Sequence, residues 1–233
     1  DVWLFEALAT PTGLLHGPAG IPKKEQRNVP AVYEDFRPGT YDQAKQVASD
    51  FAARRGIYKD RGAKAIPCKE SMKTVALEIA EQMGLALGRV DGLPSKGWRA
   101  PDWYIQAVSG GLGPLGVLKG FTELHEAGLV DRIPKLGIVQ SEGCAPMAKA
   151  WQRGLASAEP VTPDTLVTVL GTGKPGLAYE ILKRACDQHG GAMVAVSDGE
   201  AFRAMRHAAR IEGFSMEPAA SVAFAGLERL LAD

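Results

Sequence analysis

The residues whose types and spacing best suit chemistry are Ser109-Gly110-Gly111-Leu112-Gly113-Pro114, between a strand-like run, Trp103 to Val108, and a helix-like one, Leu115 to His125. Glycines let a backbone turn tightly and bring successive N–H groups close to an anion, and the positive end of the following helix adds a favourable field. Pro114, read as the first helical residue, loses no hydrogen bond it would otherwise make. A phosphate is the guest such a turn suits. The spacing is neither the dinucleotide fingerprint G-x-G-x-x-G nor a Walker loop with its Lys-Ser/Thr ending, which weighs against both nucleotide readings. A tight turn packed on a neighbouring strand is the competing explanation of these glycines. Other reactive side chains are less organised. His125, His189 and His207 lie far apart on helical segments and suggest no triad. Cys144 follows a glycine at an expected helix start, but without a paired histidine it reads as a packing residue. Ser109 and Ser141 could each give a hydroxyl to a phosphate, although turn serines are common.

The elements that must position this turn follow from composition and periodicity. At 233 residues the chain suits one large α/β domain, or one domain with an appendage. Apolar residues make up 45% and charged residues 23%, as in globular proteins. Lys plus Arg and Asp plus Glu are 27 each, so no global field favours nucleic acid or an anionic membrane. Cys68, Cys144 and Cys186 are odd in number and widely spaced, which indicates neither a disulfide framework nor a metal site and suits a reducing, cytoplasmic setting. No run approaches a membrane span, and the first residues lack the basic start of a signal peptide. The sequence does not open on Met, which suggests a processed or incomplete chain.

From Tyr41 onward helical and strand-like patterns alternate, predicting a mostly parallel sheet with helices on both faces, in three layers. Helices are expected over Tyr41–Arg55, from a Ser71 cap to Gly84, over Cys144–Gly154, over Leu177–His189, from an Asp198 cap to Ile211, and over Ala219–Leu231, the last as a buried small-residue helix. Leu85 to Pro101 reads as a loop; Leu136–Gln140 and Ala192–Val196 read as strands, and Leu166–Leu170 as strand or helix. Residues 1–40 hold five prolines and four glycines, too many breakers for a packed unit, so they are expected to form an irregular arm ahead of an α/β domain over 41–233.

Four blocks together resemble the threonine synthases, pyridoxal-phosphate enzymes of the tryptophan-synthase-β fold. Glu70-Ser71-Met72-Lys73-Thr74 through Gln82 is similar to that family's E-G-x-K-T helix. Pro101 through Phe121 is similar to its strand, phosphate loop and K-G-F helix, and Val139-Gln140-Ser141-Glu142-Gly143 through Pro146 to its V-Q-x-E-G-x-x-P turn. Val196-Ser197-Asp198, followed by Glu212-Gly213 and Glu217-Pro218-Ala219, is similar to its late V-S-D and E-P-A stretch. The blocks keep the family's order over about residues 37 to 233.

The resemblance implies a large-domain portion of that fold, with pyridoxal 5'-phosphate as cofactor. Its phosphate would sit on Ser109, Gly110, Gly111, Leu112 and Gly113, with Glu217 lining the cofactor face and Glu142 anchoring its turn. Leu112 stands where the family usually has glycine. The implied reaction converts O-phosphohomoserine to threonine and phosphate; cysteate formation and serine or threonine dehydration stay open, as does an inactive homologue that binds a phosphorylated ligand. An imine needs a lysine. The family carries it in N-P-T-G-S-x-K, where Thr10-Pro11-Thr12-Gly13-Leu14-Leu15-His16 has histidine at the lysine position, and the family's S-S-G-N segment is absent. Lys59, in Tyr58-Lys59-Asp60-Arg61-Gly62, imitates the family's lysine turn but lacks its flanking residues, and a solvated charged turn is its alternative. The partner implied is a small amino-acid substrate; no nucleic acid and no membrane is expected, and a homodimer stays open.

Overall fold

The computed structural model describes residues 41–58, 62–90 and 97–232. The chain divides into two compact units, Asp1–Asp60 and Arg61–Asp233. The first contributes helix α1, Tyr41–Arg55, with the bounds its period predicts.

In the second unit, α2 covers Ile66–Val90, β1 Trp103–Ala107, α3 Leu112–Glu126, β2 Lys135–Ser141, α4 Pro146–Gln152, α5 Leu177–His189, β3 Gly191–Val196, α6 Asp198–Ile211 and α7 Pro218–Ala232. The three strands are parallel in the order β1-β2-β3. Alternate side chains of the strands feed two cores. Leu136, Ile138 and Met193 pack with Leu115, Met147, Tyr179 and Leu182 from α3, α4 and α5. Val139, Val194 and Val196 pack with Ala201 and Ala204 of α6 and Val222 and Ala225 of α7. Helices therefore cover both faces, as the alternating pattern predicts. A third cluster joins α2 to the outer side of α3 through Ala76, Ala80, Val117 and Phe121.

Close approach explains where the glycines fall. A Cβ on Gly116 would lie 2.2 Å from Met72 Cβ, and one on Gly120 2.6 Å from Ala76 Cβ, so α3 meets Met72 and Ala76 of α2 through two glycines that leave no room for a side chain. That seam is closed by charge: Lys73 Nζ reaches Glu70 at 2.6 Å and Glu123 at 2.9 Å, and Lys119 Nζ reaches Glu70 at 2.9 Å and also pairs with Glu123. The E-x-x-K and K-G-F blocks of the sequence thus fasten one helix to another, and their two lysines are committed to carboxylates.

Several expectations are corrected. α2 starts five residues before Ser71 and continues through Gly84 to Val90, so part of the expected Leu85–Pro101 loop is helix. Gly84 marks a crossing, because a Cβ there would lie 2.1 Å from the Gly97 carbonyl oxygen. Pro114 is the third residue of α3, still in the first turn where a missing N–H costs nothing. Thr168–Leu170 is a short 3-10 turn within a connecting segment and no strand. The expected helix at Cys144 is a 3-10 turn, Glu142–Cys144, followed by α4. Ser197, not Asp198, caps α6: its hydroxyl accepts from Glu200 N–H while Glu200 accepts from Ser197 N–H, a capping box. α7 is only half buried, with Phe224, Leu227 and Leu231 exposed.

Candidate functional site

The carboxyl ends of the three parallel strands carry the turns with chemical potential. After β1, Val108 N–H still donates to Val139 at 2.8 Å, and the chain then turns at Ser109 and Gly110 to enter α3. Gly111 is the N-cap of α3 with φ +84°, and no side chain caps this helix. The turn demands glycine there twice over: left-handed backbone is costly for any other residue, and a Cβ would stand 3.1 Å from Leu182 Cδ1 and Met147 Cε. A Cβ on Gly113 would lie 2.5 Å from Gln106 Nε2, whose Oε1 accepts from the Tyr104 hydroxyl. Leu112 opens the helix, and no non-glycine residue has positive φ among the described residues, so a side chain at 112 strains nothing. The family's glycine is not required at that position.

A second segment, which the sequence reading did not single out, closes over these turns. Residues 164–172 form a strap tied at three points. Asp164 N–H donates to the Gly143 carbonyl at 2.9 Å, beside the turn after β2. Asp198 Oδ1 accepts from Thr165 Oγ1 at 2.6 Å and Ser141 Oγ at 2.9 Å, and its Oδ2 accepts from Leu166 N–H at 2.7 Å, which joins the ends of β2 and β3. Thr172, 3% exposed, shares a hydrogen bond of 2.5 Å with the half-buried Ser109 hydroxyl. The signal in the sequence was Gly171-Thr172-Gly173, a short glycine-bearing run that no helix or strand absorbs.

Burial works against ionising Asp198, but the hydrogen bonds from Thr165, Leu166 and Ser141 outweigh it and hold the carboxyl below its usual range. Ser141 is buried and spends its hydroxyl on this clamp, so of the two serines only Ser109 remains for a phosphate. Glu142 is exposed, and anchoring of its turn falls instead to Gly143, where a Cβ would overlap the Asp164 carbonyl, and to Ser141. Gln140 is fully buried; its Oε1 accepts from Met147 and Ala148 N–H at 2.8 and 3.2 Å and caps α4, leaving Nε2 without a partner among the described residues. Cys144 is buried as expected for a packing residue.

Glu217 is exposed and directly precedes α7, accepting from Ser221 N–H at 3.2 Å through its carbonyl. Close approach of Gly226 to Val139 and of Leu230 to Gly137 shows that α7 runs opposite to β2, which brings Glu217 to the same carboxyl edge as the β1 turn. Lys59 and the Thr10–His16 stretch lie outside the described residues. Among the described residues no cluster of three or more side chains could hold a metal, and no helix is long and apolar enough to cross a membrane.

The residues present suit the phosphate end of a ligand: an uncapped helix start, a turn kept free of Cβ atoms at Gly111 and Gly113, and one half-buried hydroxyl.

Comparison with known proteins identifies a family for the chain. A family model described as pyridoxal-phosphate dependent enzyme matches residues 27–233. The chain is 30% identical over 194 residues to a threonine synthase of Methanocaldococcus jannaschii, which covers 83% of this chain and 44% of that protein. It is also 30% identical over 203 residues to a cysteate synthase of Methanospirillum hungatei, covering 82% of this chain and 44% of that protein. The chain thus spans less than half the length of these relatives. The structure of maize serine racemase shares its fold, with a TM-score of 0.60 at 16% identity over 88% of this chain and 57% of that one.

Proposed function

This chain belongs to the pyridoxal-phosphate-dependent enzyme family, and from that premise we propose that its β1 turn holds the cofactor phosphate of an enzyme acting on a small amino acid, of the threonine synthase kind. The observation that carries the proposal is the left-handed Gly111 at the uncapped start of α3, at the carboxyl edge of a parallel sheet. Ligands of open α/β sheets bind at that edge. When bound, pyridoxal phosphate supplies an electron sink for a carbanion at the amino-acid carbon. The chain's own part is to bind and orient. Backbone N–H groups at Gly111, Leu112 and Gly113 would meet the phosphate oxygens, Ser109 would add a hydroxyl, and Gly110 would leave room for close approach. Glu217 stands at the same edge, where a carboxylate can face the cofactor. A threonine synthase and a cysteate synthase match this chain at the same 30% identity, so identity alone does not choose between O-phosphohomoserine and another small amino acid as substrate.

The sequence around Lys59 lacks the flanking residues of a lysine turn, and Lys73 and Lys119 are held in ion pairs. Stoichiometric pyridoxal phosphate should therefore bind the chain with no borohydride-reducible adduct at Lys59. Visible absorption, reduction and peptide mapping check this. A pyridoxyl group trapped on Lys59 would make this chain a complete imine-forming enzyme, and absence of binding would remove the cofactor-site reading.

A further inference from the structure

The bond between Ser109 and Thr172 joins two hydroxyls, which hold two protons between them, one spent on the bond itself. Which proton is left over follows from burial. Thr172 is 3% exposed, and among the described residues its hydroxyl meets no other acceptor. Were Ser109 the donor, the Thr172 proton would be buried without a partner, a costly arrangement. With Thr172 as donor, both groups are satisfied and the Ser109 proton is free on the more exposed side of the pair. We propose that Thr172 is a positioning residue that orients the Ser109 O–H outward, as a donor to the phosphate oxygen of a ligand seated on the β1 turn.

The strap holds that orientation. Thr172 is separated from the Asp198 clamp by one 3-10 turn, in which Leu170 N–H donates to Val167 and Gly171 N–H to Thr168, and just beyond it Thr172 N–H donates to Leu170. Thr172 Cγ2 lies 3.9 Å from where a Cβ on Gly110 would stand, so the methyl side of the threonine abuts the turn while its hydroxyl meets Ser109. A donor fixed in this way loses little freedom on meeting an anion. The inference rests on the reading of the β1 turn as the phosphate site.

The test is calorimetric titration of the 233-residue chain with pyridoxine 5'-phosphate and with pyridoxine, neither of which has an aldehyde to react with surface lysines. Ser109→Ala should weaken the phosphorylated probe roughly tenfold, the worth of a hydrogen bond to a charged group. Thr172→Val should weaken it about three- to tenfold, the combined variant should be no weaker than roughly Ser109→Ala alone, and Thr172→Ser should restore binding to within about twofold. Should Thr172→Val not fold, as judged by circular dichroism, Thr172→Ala is read in its place. Thr172→Val binding as well as the unaltered chain, or Thr172→Ser binding as poorly as Thr172→Val, overturns the positioning role while leaving the phosphate site intact. An unaltered chain that binds pyridoxine 5'-phosphate no better than pyridoxine overturns the phosphate site, and the positioning role with it.

Discussion

Gly111 shows how one residue joins fold to function. Its φ of +84° ends the approach from β1 and lets the chain turn into the start of α3. Gly111→Ala should destabilise the chain by about 1–2 kcal/mol from the left-handed backbone alone, with a further loss because Leu182 and Met147 must give way. Urea unfolding with an unchanged slope would show it. The neighbouring Leu112 teaches the reverse lesson: a departure from the family's glycine changes nothing in the backbone, since the helix has already begun. Glycine content announced a tight turn, but that Gly111 takes the positive φ, and that Leu182, Met147 and Ala178 leave its Cβ no room, is read only from the structure.

At the scale of elements, the α2–α3 seam carries the motif blocks. The resemblance placed Glu70 and Lys73 in one block and Lys119 and Gly120 in another, and the structure brings the two blocks together, where they fasten α2 to the helix that begins at the β1 turn. Gly116→Val would place a branched side chain where Met72 Cβ lies 2.2 Å from the new Cβ. The helices would have to separate, costing about 3 kcal/mol or more. Thermal unfolding measures that cost, and a midpoint within error of the unaltered chain would show that the seam yields easily. The strap over 164–172 was the least legible element. Its Leu166–Leu170 run reads locally as strand or helix, whereas its bonds run to Gly143, Asp198 and Ser109, partners distant in sequence.

For the whole molecule, the equal charge totals of the sequence hide a pattern of paired carboxylates. Lys73 and then Lys119 hold Glu70 down to about 2, and Glu123 lies below its usual range through Lys119 and Lys73. Asp198 is also depressed, its hydrogen bonds outweighing burial, and Glu200 is lowered by its bonds to Ser197 and Arg229. Each is more acidic folded than unfolded, so its contribution is complete above the ordinary carboxylate range and is lost as pH falls through the folded value. The unfolding temperature should therefore stay level from pH 7 to about 5 and fall steadily toward pH 2. Replacing Lys119 with Met should move the Glu70 titration, followed by carboxyl NMR, upward toward the ordinary glutamate range. A Glu70 that titrates unchanged would remove the four-charge cluster from the account of acid stability.

By itself the sequence determined the three-layer α/β class, both ends of α1 and α5, the place of each strand and the tight glycine turn after β1. These follow from periodicity and from the backbone freedom of glycine, which are properties of neighbouring residues. Only the tertiary structure decided that Gly84, Gly116 and Gly143 each mark a close approach of backbone to a distant neighbour, that Ser141 serves a structural clamp while Ser109 stays available, and that Thr172 is hydrogen-bonded to Ser109. Such facts depend on which distant backbone or hydroxyl comes to lie alongside, and no local pattern of residue types encodes that neighbour.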